Sequence, residues 1–125
     1  MSEKIRDVMS EGVRPLPGSL SVREAAIAMR DLDADAVVVQ SDGVLQGIVT
    51  DRDIAVRVVA RNRDPDAIRL AQLCDREPVT LHPDDSLDQA AKLMRERALR
   101  SIPVVADGEP VAVVSLGDLA LVRSS

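Results

Sequence analysis

The chain has 125 residues, no Phe, Tyr or Trp, one Cys, one His, and 16 basic against 21 acidic side chains for a net charge of −5. That length suits one domain or two very small halves sharing a core, and at this size folding buries about two-thirds of the unfolded chain's surface without help from a disulfide or metal. The acidic balance argues against a nucleic-acid or anionic-membrane partner, and a lone Cys74 with a lone His82 is too little for an internal disulfide, a metal centre or acid–base catalysis.

Without aromatics, bases cannot be stacked on side chains, and the core must be built from Val, Leu, Ile, Ala and Met. No apolar run nears the ~20 residues of a membrane span. The opening MSEKIRDVMS has no signal-peptide core, so a reduced, cytoplasmic protein that is not an enzyme is expected.

In chain order, a short strand is expected at Val13–Leu16. Ser21 then caps a helix, with Glu24 three residues on to complete a capping box. Val22, Ala25, Ala26, Met29 and Leu32 fall on one helical face. Two β-branched runs, Ala36–Ser41 and Val44–Thr50, flank Asp42-Gly43, a two-residue hairpin signal. A closing helix starts at Thr50. The charged stretch Arg61–Asp66 then reads as linker.

The same series returns. Val79–Leu81 is a strand, Ser86 with Gln89 a cap, and Leu87, Ala90, Ala91 and Met94 a face. Ile102–Ala106 and Val111–Ser115 flank Asp107-Gly108, and a helix starts at Ser115. Residues 5–56 lie on 70–121 without a gap at an offset of 65, with Ser21/Ser86, Met29/Met94, Val39/Val104, Gly43/Gly108 and Asp53/Asp118 among the identities. The organisation expected is a first repeat at 5–60, a linker at 61–69 and a second repeat at 70–123, each strand–helix–strand–strand–helix.

Thr50-x-x-Asp53 and Ser115-x-x-Asp118 stand where an apolar strand meets a helix. Unpaired amides and the helix dipole favour an anion there, and an aspartate one turn in can accept from the vicinal hydroxyls of a ribose. The same spacing is also that of a capping box. Two features favour a ligand. Ordinary caps in this chain use the longer Glu24 and Gln89, and both copies keep the aspartate while its neighbours differ. Arg14, Arg52, Arg97 and Arg100 are the cations available to a phosphate. Arg52, in a first helical turn that disfavours a cation, is the best placed, and its counterpart Gly117 is uncharged. His82 reads as a surface residue, and Cys74, level with Met9 in the repeat, as a small buried hydrophobe.

With VTDRDIA closing one copy and SIPVVADG with VVSLGDLA in the other, the chain resembles a tandem pair of CBS (cystathionine β-synthase) domains, a Bateman module, over nearly its whole length. The resemblance implies an α/β (α+β) fold: two β-α-β-β-α units packed sheet against sheet with pseudo-twofold symmetry. It implies a regulatory sensor, assembled as a homodimer, that binds an adenosine-containing ligand in clefts between the repeats. That ligand would be AMP, ADP, ATP, NAD or S-adenosylmethionine, with no other cofactor required. An unidentified effector protein would read it out. By resemblance the base contacts fall on Val79, Thr80 and Leu81 and on Ile102, Pro103 and Val104, with Arg14 and Val37 at the matching positions of the first copy. That copy departs from the pattern with Arg14-Pro15 and with Val38 in place of Pro103, and Ala112 stands where the first copy has Gly47. The alternative is a ligand-free dimerisation or interaction module with vestigial clefts.

Overall fold

The structure is a computed structural model that describes residues 3–11, 13–75 and 77–123. In chain order a 3-10 turn at Ile5–Asp7 precedes β1 (Ser10–Glu11), β2 (Leu16–Pro17), α1 (Val22–Leu32), β3 (Ala36–Ser41) and β4 (Val44–Thr50). α2 (Asp51–Ile54) runs on as a π-helical turn over Ala55–Val59, and a second 3-10 turn occupies Leu70–Leu73. α3 (Leu87–Arg97), β5 (Ser101–Ala106), β6 (Glu109–Ser115) and α4 (Leu116–Arg123) complete the series.

These elements form two compact units. The first is Arg14–Pro78, and the second is Met1–Val13 with Val79–Ser125. The repeats and the units therefore do not coincide, because the two leading segments are exchanged. Ile5, which begins the first repeat, is fully buried in the second unit's core. Leu70 and Leu73, which begin the second repeat, are buried in the first unit's core. The docking is equivalent bond for bond. Ile5 N–H donates to the Asp85 carbonyl and Arg6 N–H to the Pro83 carbonyl, both at 2.9 Å. Leu70 N–H donates to the Leu20 carbonyl at 2.9 Å and Ala71 N–H to the Gly18 carbonyl at 3.0 Å. The stretch 61–69, expected as linker, also packs into the first unit. Ile68 is buried there, and Arg69 forms a bridge with Ser21.

In the first unit the sheet order is β2-β3-β4, with β2 parallel to β3 and β3 antiparallel to β4. In the second it is β1-β6-β5, both pairings antiparallel. Both hairpins turn through two left-handed residues, Asp42 (φ 51°) with Gly43 (φ 76°) and Asp107 (φ 53°) with Gly108 (φ 79°). That is the type I′ geometry the Asp-Gly pairs predict. Each carries a bulge at the same place, Val39/Gln40 and Val104/Val105.

The first strand of each repeat is shorter than expected. β2 begins only at Leu16, between Pro15 and Pro17, which have no N–H to give a ladder. In the second repeat only Leu81 pairs, with Val104, between Pro78 and Pro83. The apolar face of α1 is also narrower. Val22, Ala25 and Met29 are buried, while Ala26 is exposed and Leu32 is 60% exposed. α3 keeps its expected face, with Ala90, Ala91 and Met94 buried.

Candidate functional site

The Ser21 box forms in full, with its hydroxyl accepting from Glu24 N–H at 3.1 Å while Glu24 answers the Ser21 backbone. Ser86 accepts from Gln89 N–H at 3.1 Å, but among the described residues Gln89 makes no return bond to Ser86, so that box is half made.

At Thr50, the end of β4 passes directly into α2, and β3 starts alongside, with Ala36 level with Thr50 and Val37 with Val49. Asp53 N–H donates to Thr50 Oγ1 at 3.1 Å. Asp53 Oδ2 accepts from Thr50 N–H at 2.8 Å and from the Thr50 hydroxyl at 3.0 Å. Both residues are half-buried. The second unit repeats this junction, with Ser115 level with Ser101 and Val114 with Ile102. Asp118 Oδ2 accepts from Ser115 N–H at 2.8 Å, and Asp118 N–H donates to Ser115 Oγ at 3.1 Å. The junctions are pinned identically, Asp51 N–H to the Asp35 carbonyl at 2.9 Å and Leu116 N–H to the Arg100 carbonyl at 2.7 Å.

Both motifs are therefore capping boxes in this structure. That leaves a second function open to them, because in each pair every hydrogen bond that the carboxylate accepts among the described residues falls on Oδ2. Oδ1 of Asp53 and of Asp118 remains to accept from a hydroxyl pair. The hydroxyls differ. Thr50 gives its proton to Asp53, whereas Ser115 has no acceptor for its proton among the described residues.

The other expected contacts sort by burial. Val37 and Ile102 lie in the two cores, and Pro103 is fully buried. They can offer a ligand backbone atoms rather than side chains. Of their backbone groups, the Pro103 carbonyl already accepts from Leu81 N–H at 3.1 Å. Thr80, Arg14, Arg52 and Arg100 are exposed. Continuing the parallel registers of Leu16 with Val39 and Leu81 with Val104, Arg14 comes level with Val37 and Thr80 with Pro103. Each unit thus collects its candidate residues at one end of its own sheet. The first unit's end carries charge, with Asp51 Oδ1 accepting from Arg52 N–H at 2.7 Å. The second unit's end has Leu116, 51% exposed, and Gly117 where the first has Asp51 and Arg52, and its exposed cation is Arg100.

Two neighbours of the first motif escape a reading of the sequence. Cys74 is half-buried beside β4, its thiol 3.5 Å from the Leu70 carbonyl. Burial first, then the charges of Asp75 and Asp53, push it up to about 11. Arg57 donates to the Leu73 carbonyl at 2.7 Å. Both follow from the exchanged segment, which the repeat alignment assigns to the other copy. Elsewhere in the second unit a groove of about 390 Å³ between α3 and α4 is lined by Ala91, Met94, Arg95, Leu99, Leu116, Leu119 and Ala120. No group of three or more His, Cys, Asp or Glu side chains is gathered for a metal among the described residues. No helix there is long and apolar enough to cross a membrane.

A family model described as CBS domain matches residues 5–60 and again 70–125. The CBS domain-containing protein YhcV of Bacillus subtilis is 35% identical over 121 residues, covering 97% of this chain and 86% of that protein. Protein YlbB of the same organism is 37% identical over 120 residues, covering 94% and 80%. The crystal structure of Hypoxic Response Protein I, which holds two coordinated zinc ions, matches with a TM-score of 0.85 at 28% identity over 95% of this chain and 98% of that one. A hexameric CBS-CP12 protein from bloom-forming cyanobacteria shares the fold, with a TM-score of 0.88 at 23% identity over 97% and 72% of the two chains.

Proposed function

Because this chain belongs to the CBS-domain family, we propose that it is a regulatory sensor module that binds an adenosine-containing ligand and is not an enzyme. The observation that carries the reading is the repeated strand-end aspartate. In both units it is held by its own serine or threonine through Oδ2, with Oδ1 unengaged among the described residues. Two acceptor lone pairs fixed at the start of a helix suit the 2′- and 3′-hydroxyls of a ribose. The adenine would lie on aliphatic side chains and backbone near Thr80 and Arg14. Arg52 would meet a phosphate at the first unit, where the second has Gly117.

Self-association is part of the proposal. The apolar groove between α3 and α4, with Leu116 half exposed at its edge, supports a homodimer built on that face. Ala25 and Ala90, fully buried in their own units, add nothing to such a face.

The missing aromatics supply the test. With no Trp or Tyr, the polypeptide absorbs almost nothing at 280 nm. A co-purifying adenine ring would dominate the spectrum at 260 nm and could be released by acid and identified by mass. Failing that band, AMP, ADP, ATP, NAD or S-adenosylmethionine at a hundredfold Kd should add about 2.7 kcal/mol of stability. A silent spectrum with no thermal shift for any of them at millimolar concentration overturns the sensor and favours a ligand-free assembly module.

A further inference from the structure

Residues 3–11 grip the second unit on both sides of its candidate site. On one side they hold the loop that leads from Leu81 to α3. Ile5 and Arg6 donate to the Asp85 and Pro83 carbonyls, Leu87 N–H returns to the Glu3 carbonyl at 3.3 Å, and the Arg6 guanidinium pairs with Asp84. That pairing, with Lys4 nearby, holds the Asp84 carboxyl below the usual carboxylate range. On the other side β1 pairs with β6, Ser10 level with Val113 and Glu11 with Ala112, just before Ser115. Beneath, Ile5 is fully buried in one cluster with Leu81, Ala112, Val114 and Leu119. Leu81 adjoins Thr80, and Leu119 adjoins Asp118. The exchanged segment of the first unit makes the same backbone bonds, but its counterparts of Arg6 and Asp84 are Ala71 and Ser19, so it has no such ion pair.

We propose that residues 3–11 are a strap whose docking is coupled to occupancy of the Ser115/Asp118 site, an inference that rests on the ligand reading above. Lifting the strap empties the Ile5 position in the cluster that holds Leu81 and Leu119 and frees the edge of β6, so the two sides of the site lose their common support. A ligand that needs both sides in place binds the docked state better, and by linkage it holds the strap down. Ile5 is a positioning residue in this scheme and touches no ligand. An effector that recognises the strap or the surface under it would read the ligand through it.

Amide exchange tests this directly, because a ligand slows only those openings that release it. The full chain carries Asp53→Ala, so that the Ser115/Asp118 site alone is left, and Ile5→Ala, so that the strap opens ahead of the core. If the Ile5→Ala chain fails to fold, Ile5→Val replaces it. With AMP at a hundredfold its Kd, exchange at Arg6 and Met9 is expected to slow about 100-fold. Ile5→Ala should also weaken AMP binding several-fold in the Asp53→Ala chain and leave it unchanged in Asp118→Ala, where only the first unit's site remains. AMP bound with strap amides exchanging at the same rate, or a loss of affinity equal at both sites, overturns the coupling and leaves the sensor standing. A wild-type chain that takes up none of AMP, ADP, ATP, NAD or S-adenosylmethionine overturns both.

Discussion

A β-carbon placed on Gly47 would lie 3.2 Å from Cβ and 3.4 Å from Sγ of Cys74. Gly47 also has φ +152°, outside the usual range for L side chains, while its counterpart Ala112 is not among the positive-φ residues. The glycine thus admits the exchanged segment to the side of β4. Gly47→Ala is expected to cost about 1–3 kcal/mol, from backbone strain and the pressed Cys74 together. Thermal melts should show a fall of several degrees. An unchanged midpoint would mean that β4 gives way at no cost.

The strand-end aspartates have two tasks, so their loss should have two readouts. Asp53→Ala and Asp118→Ala each remove a cap, worth about 1 kcal/mol of stability. Each should also weaken an adenosine ligand by roughly 1.5–3 kcal/mol, one to two decades in Kd. Titration calorimetry beside thermal melts separates them, since a purely structural aspartate would lower the melt and leave the affinity alone.

Ala98 ends α3 with φ 54° and ψ 46°, a left-handed conformation that costs a residue with a β-carbon about 1 kcal/mol. Asp33 does the same for α1 at φ 53°. Ala98→Gly is expected to raise stability by up to about 1 kcal/mol, measured as a higher denaturant midpoint. A lower midpoint would show that the terminus is held by contacts of the alanine methyl.

The Cys74 thiol rises from 9.0 to about 11 on folding, burial being the main cause. A raised thiol disfavours the thiolate in the folded state only. The effect is absent below pH 9, and stability falls as pH climbs from there towards 11, where the unfolded chain releases a proton that the folded one keeps. Native Cys74 should therefore alkylate slowly at pH 8 and far faster in denaturant. Equal rates in both would contradict the burial that raises it.

Light scattering at micromolar concentration should give twice the 13.4 kDa of the chain. Leu116→Glu, at the edge of the α3–α4 groove, should shift it towards monomer. A wild-type mass of 13.4 kDa rules out the dimer.

The sequence by itself determined whatever is settled within a few residues. The two-residue Asp-Gly turns take their left-handed angles from the backbone tolerance of those residues, and the Ser21 cap closes on a glutamate three positions away. The offset of 65 announces two like units before any packing is considered. Only the tertiary structure decided which unit the leading segments serve. Ile5 and Leu70 are equivalent apolar residues meeting equivalent backbone acceptors, and local preference cannot choose between two such docks. It also decided that Ala26 and Leu32 stay exposed on α1, since periodicity defines a helix's apolar face while neighbouring elements determine how much of it is covered. The Thr50/Asp53 and Ser115/Asp118 pairs belong to both levels. Their spacing showed a cap or a ligand site, and the folded geometry shows that the cap occupies one carboxylate oxygen and leaves the other available.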